Sequence, residues 1–177
     1  MAQAGRRSTK EALEDAQWLD GDERSTWLAL AAVMVKLPAA LDAQLQRDAG
    51  LSFFEYMVLA MLSERPARTM RMSELAALTH ASPSRLSHVA SRLEKQKYLR
   101  REPCPHDGRA TNAVLTNAGM DKVVASAPGH VAAVRAHVFD ALTVSQRAQL
   151  RRIGTRILSQ VDSGESCPRG STTSTEE

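Results

Sequence analysis

Residues 72–116 read MSELAALTHASPSRLSHVASRLEKQKYLRREPCPHDGRATNAVLT, and the fold turns on how they are parsed. A short helix is expected over Leu75-Ala76-Ala77-Leu78, with Ser73 as its N-cap. A tight break at His80-Ala81-Ser82 separates it from a second helix beginning at Pro83. The Ser82 oxygen can accept an orphan amide there. Proline at the first helical position gives up only a donor that has no partner. Two helices on so short a turn make a helix-turn-helix.

The second helix has two faces. At about 100° per residue, Leu86, Val89, Ala90 and Leu93 share one stripe, and Ser84, Arg85, His88, Arg92 and Lys95 gather roughly opposite. Such a helix can anchor by its dry side and offer hydroxyls, guanidinium and imidazole to base edges, with lysine for phosphate. A solvated face on any soluble protein has the same composition, so the helix alone leaves both readings open. The next residues bear on the choice. Arg100 and Arg101 lead into Pro103-Cys104-Pro105-His106-Asp107-Gly108, and Arg109 begins a second short strand. Asp107-Gly108 is a strong hairpin-turn signal. The prolines flanking Cys104 suit a stiff excursion that joins no ladder.

Helix, turn, basic helix and basic hairpin, in that order, read as a winged helix-turn-helix. The chain resembles the MarR family of transcriptional regulators. The resemblance rests on Ser73-Glu74-Leu75-Ala76, on SPSRLSHVASRLEKQKYLRR at 82–101, and on Asp107-Gly108-Arg109, which fits the family's Asp-x-Arg wing motif; it covers roughly residues 25–161. It implies a mainly α fold with a two-stranded β wing and N- and C-terminal dimerisation helices. The homodimer would present two recognition helices to successive major grooves of a pseudo-palindromic operator in double-stranded DNA. It further implies a repressor released by a small-molecule effector. By the same resemblance Arg109 reaches the minor groove from the wing tip, and Asp107 is a partner within the wing. An effector crevice would lie among Trp18, Trp27, Met34, Phe53, Tyr56 and Met57, although residues at such helical spacing also serve as plain core.

From the residues themselves, Ser84, Arg85, Ser87, His88 and Arg92 are the candidates for base or near-base contact. Arg85 leads because a guanidinium can be bidentate to guanine. Lys95, Arg100 and Arg101 suit phosphate contacts or structural ion pairs.

Composition narrows the classes. The 177 residues are 43% apolar, ordinary for one globular domain, and only 4% aromatic, too few for a single-strand binder built on stacking platforms. The net charge of +3 says little, but residues 65–109 hold ten Lys/Arg against four Asp/Glu, a local excess of six on the proposed DNA-binding unit. The first residues are charged and lack the apolar core of a signal peptide. No run approaches the roughly 18 uninterrupted apolar residues of a membrane span, so a cytoplasmic protein is expected.

Organisation follows from the remaining periodicities. Residues 1–20 are expected to be a flexible N-terminal segment, 21–161 the MarR-like domain and 162–177 a disordered tail. Within the domain, the winged helix spans about 51–116, and dimerisation helices span about 22–49 and 117–161. Trp27, Leu30, Val33 or Met34, Leu37, Leu41 and Leu45 form one long stripe, kinked at Pro38 and closed by Gly50. Ser52 with Glu55 and Thr143 with Gln146 read as capping boxes, and Thr116 as an N-cap. Met70-Arg71-Met72 is short enough to be a single strand on the wing. Pro128-Gly129 lies in a long helix, either kinked or split in two. The last helix aligns Leu150, Ile153, Ile157 and Val161. Stripes at both chain ends exceed what one chain can cover, which argues for a symmetric dimer.

Cys104, near Arg100, Arg101, His106 and Arg109, is read as a surface thiol, with redox sensing as the alternative. A winged helix used only for protein contacts is the other alternative. His80, His88, His106, His130 and His137 show no metal spacing, so neither metal nor cofactor is expected. His130 and His137 suit an interface or solvent. No phosphate loop or nucleophile–base pairing is found, and no enzyme is expected.

Overall fold

A computed structural model describes residues 18–105 and 107–165. The expectations for residues 1–17, His106 and residues 166–177 fall outside them. The described chain begins with α1 (Gly21–Ala49) and α2 (Phe53–Ser63), then a 3₁₀ turn (Pro66–Arg68) and β1 (Thr69–Arg71). The helix-turn-helix follows as α3 (Met72–Leu78) and α4 (Pro83–Lys95), and the hairpin as β2 (Leu99–Cys104) and β3 (Asp107–Leu115). The described chain closes with α5 (Asn117–Val134), a π turn (Arg135–Phe139) and α6 (Val144–Glu165).

The helix ends follow local chemistry. Asp20 accepts from the amides of Asp22 and Glu23, while Glu23 reaches back to the Asp20 amide. Ser52 and Glu55 close the same reciprocal box on α2, and Thr143 and Gln146 exchange the equivalent bonds ahead of α6. Thr116 caps α5 through the Gly119 amide. Gly50 takes φ +64° and returns its amide to Gln46 and Leu45, ending α1. Pro38 lies inside α1 and Pro128 inside α5, and neither splits its helix. Arg147 closes the last corner, its guanidinium donating to the carbonyls of Phe139 (2.6 Å) and Leu142 (3.1 Å).

The sheet is antiparallel, ordered β1-β3-β2. It corrects three expectations. Ser73 is not the cap of α3: Arg71 is paired with Asn112 in extended conformation, so the helix starts at Met72 and no side chain caps it. The hairpin does not turn on Asp107-Gly108. Cys104 already pairs with Asp107, so reversal falls between them. The segment around Cys104 does join the ladder, for Pro103 opposes Thr111 and the register shifts between Pro103 and Cys104. Gly108, Arg109 and Ala110 are the extra residues left without a register partner on β2. A fourth correction is at the C-terminal end, where α6 continues to Glu165, past the expected boundary at 162.

The core lies where α2, α3 and α4 meet the sheet. Leu59, Leu62, Leu75, Leu86, Leu93 and Leu99 are fully or almost fully buried there. Leu45 of α1 and Val123 of α5 join the same cluster and tie the long helices to it. Gly119 allows the closest approach: a Cβ there would collide with the Tyr98 carbonyl and the Leu115 side chain. The long helices are otherwise poorly covered. Trp27, Leu28, Val33, Met34 and Val35 of α1 are exposed, as are Leu150, Ile153, Ile157, Leu158 and Val161 of α6. By length and composition alone α1 is long and apolar enough to cross a membrane, with Lys36 inside its apolar run.

Candidate nucleic-acid interface

The helix α4 is set by its two ends and one face. Ser82 accepts the Arg85 amide at 3.2 Å, Pro83 occupies the first turn, and Gln96 ends the helix on the Arg92 carbonyl. Leu86, Ala90 and Leu93 are buried, which fixes the rotation of the helix about its axis. Ser84, Arg85, Ser87, His88, Arg92 and Lys95 are consequently all exposed. The turn before α4 is tightened by His80 at φ +48°, with the Ala81 amide bonded back to the Ala76 carbonyl.

The arginines differ in what holds them. The Arg85 guanidinium carbon stands 4.3 Å from the centre of the Phe54 ring. Arg92 Nε lies 3.1 Å from Oε1 of Glu55, a carboxylate with a fully buried side chain. The N–H is misaligned for a hydrogen bond with that oxygen, so the contact is an ion pair only. The other Glu55 oxygen accepts from the Ser52 amide and hydroxyl, both at 2.8 Å. Glu55 therefore joins the start of α2 to α4, and the capping-box signal disclosed only half of that.

Arg101 is a fastener. It donates to Glu94 from Nε and from its backbone amide, each at 2.8 Å, and from Nη2 to the Ser91 hydroxyl at 3.1 Å. The hydrogen bond from its guanidinium holds the Glu94 carboxyl below its ordinary value. Arg100 pairs with Glu102 at 2.6 Å on the outer side of β2.

In the wing, Asp107 accepts the Arg109 amide at 3.1 Å and lies 3.9 Å from the Arg71 guanidinium. Arg109 itself is exposed. Arg71 also reaches Cys104 Sγ at 3.8 Å. Cys104 is buried, so the expected surface thiol is instead part of the wing's packing. Arg71 bridges both residues, a role that becomes visible only once β1 is paired in the sheet.

The proposed crevice residues divide. Trp18, Trp27 and Met34 are exposed, whereas Tyr56 is buried and Phe53 and Met57 are half-buried. Phe53 and Tyr56 pack on the ring of His130, at centroid distances of 5.8 and 4.5 Å. His130 is thus a joint between α2 and α5. Burial lowers its pKa and raises that of Tyr56. Nearby, the Gln44 amide nitrogen bonds Asp48 at 2.8 Å and approaches Gly129. Gln44 Oε1 and His130 Nδ1 are buried without a hydrogen-bond partner among the described residues. A separate apolar cavity of about 540 Å³ opens between α1, the π turn and α6, lined by Val33, Leu37, Val138, Leu142 and Leu150 among others, and by none of the expected crevice residues. No cluster of three or more His, Cys, Asp or Glu among the described residues could hold a metal ion.

Comparison with known proteins converges on this arrangement. A family model described as MarR family matches residues 49–110, from the end of α1 into the start of β3. The crystal structure of Sco3205, a MarR family transcriptional regulator from Streptomyces coelicolor in complex with DNA, is 43% identical. That match covers 83% of this chain and 91% of that one, with a TM-score of 0.79. AbsC, a MarR family transcriptional regulator from the same organism, is 36% identical over 84% of this chain and 99% of its own, with a TM-score of 0.80. Curated protein sequences give no match.

Proposed function

Because the chain belongs to the MarR family of transcriptional regulators, we propose that it reads double-stranded DNA sequence-specifically as a homodimer. The observation carrying this reading is the exposed row of Ser84, Arg85, Ser87, His88, Arg92 and Lys95 on a helix whose opposite face is buried. That geometry lets α4 enter a major groove without disturbing the core. Arg85, Ser84, Ser87 and His88 offer donors to base edges, and Lys95 neutralises phosphate. Arg92, also in this row, is engaged on Glu55. Arg109, exposed beside the bulge, reaches a neighbouring minor groove while Asp107 holds the wing's shape. That Sco3205 was crystallised with DNA supports this reading.

The winged unit, residues 51–116, is then the reading head, and α1, α5 and α6 are the dimerisation helices. Their exposed apolar residues support this, since a second copy placed about a two-fold axis would cover them. The dimer acts as a repressor in the cytoplasm, released by a small-molecule effector. The joint of Gln44, Phe53, Tyr56 and His130 supports the last point. It lies between the head and the long helices, and its two unpartnered polar atoms suit a ligand with a polar group. Release requires the ligand to bind one spacing of the two heads better than the other.

Selection of bound duplexes from a random pool tests the reading. The wild-type chain is expected to enrich a two-fold symmetric site. Arg85→Ala is expected to relax preference at one position of each half-site, costing about 1–3 kcal/mol there. Unchanged affinity and unchanged preference in that variant would remove α4 from the groove.

A further inference from the structure

The two arginines of the α4 ridge are held by consecutive residues of another helix. Phe54 lies under Arg85 and Glu55 meets Arg92, both from the first turn of α2. Residues 85 and 92 are seven apart, two turns along one face, so α2 supports the ridge at both turns. The two supports leave different chemistry available. An ion pair engages the guanidinium's charge and directs Nε of Arg92 toward a buried carboxylate. An aromatic ring accepts no in-plane hydrogen bond, so Arg85 keeps its donor fork for another acceptor. The separation of 4.3 Å is well within the range in which a cation is attracted by a ring. Phe54 is itself fixed, because it is half-buried and packed against the core.

We propose that Phe54 is a positioning residue for DNA readout: its ring sets the direction from which Arg85 approaches a base, and so determines preference at the position Arg85 reads. This rests on α4 being the recognition helix. An unsupported arginine would have to order its long side chain on binding, and one ordered beforehand loses less freedom. Phe54 would therefore shape specificity without touching DNA.

The test uses the full chain as wild type, Phe54→Leu, Phe54→Trp, Arg85→Ala and the Phe54→Leu/Arg85→Ala double variant. Each is titrated with the selected duplex, with that duplex altered at the Arg85-sensitive base, and with an unrelated duplex. Phe54→Leu is expected to reduce discrimination between the first two about 2- to 5-fold, the worth of an exposed cation–π contact. Affinity for the unrelated duplex and the melting temperature should hold. Phe54→Trp should restore discrimination, and the double variant should discriminate no worse than Arg85→Ala alone. If Phe54→Leu leaves discrimination intact while Arg85→Ala abolishes it, the positioning role is overturned and the recognition helix stands. An equal loss on all three duplexes with a lowered melting temperature reduces Phe54 to packing and also overturns the proposal. If Arg85→Ala changes nothing, the recognition-helix reading fails first.

Discussion

Leu86 and Leu93 on α4 are 1% and 0% exposed, whereas Ile153 and Val161 on α6 are 56% and 57% exposed. Both pairs come from apolar stripes of helical period, and sequence alone gives them the same standing. The difference lies in what surrounds them. The α4 stripe closes on α2, α3 and a three-stranded sheet made by the same chain. The α6 stripe meets little of its own chain. The winged unit thus gains the stability of apolar burial within one molecule, at about 25 cal/mol per Å² removed from water. In the proposed dimer the exposed stripes of the long helices would gain theirs by association.

The contrast can be broken most forcefully at α6. Ile153→Asp with Ile157→Asp would place charges in the proposed seam. Sedimentation is expected to show a monomer, and operator affinity should fall by about 100-fold or more as two linked half-site contacts become one. Loss of affinity with the dimer intact would count against the seam. In that monomeric background the two regions can be compared directly. Leu86→Ala should cost about 2–5 kcal/mol of unfolding free energy, as for a buried leucine. Leu158→Ala, exposed on α6, should stay within about 0.5 kcal/mol. Equal losses in denaturant titration would erase the distinction.

The smallest effect concerns the joint between the regions. Burial holds His130 below its ordinary 6.5. As pH falls below that value the unfolded chain takes up a proton that the folded chain resists. Stability should therefore be full above pH 6.5 and decline below it until the folded group also titrates. His130→Phe should flatten that part of the profile in thermal melts at graded pH. A slope that survives the substitution belongs to another group.

Legibility tracked how local each signal was. The caps at Ser52, Ser82, Thr116 and Thr143 and the stop at Gly50 were readable because each depends on residues within one helical turn. The orientation of α4 was readable because its stripe is unambiguous. Ser73 failed as a cap since β1 dictates where α3 starts, and that pairing spans some forty residues. Asp107-Gly108 failed as a turn for a similar reason. The Cys104–Asp107 pair closes the hairpin first, and the favourable dipeptide is left to serve the bulge. The supports at Phe54 and Glu55, the fastener at Arg101 and the ring contacts of His130 join separate elements, and no local spacing encodes them. The apolar ends announced themselves as unpaired stripes without saying what covers them.

Arg101 carries a mechanical consequence. By gripping Glu94 and Ser91 it welds hairpin to helix, so the two parts proposed to face the groove cannot be re-angled against each other without first cutting that weld. A regulatory signal would then act as a wrist does on a clenched hand, turning the grip as a whole while the fingers keep their shape.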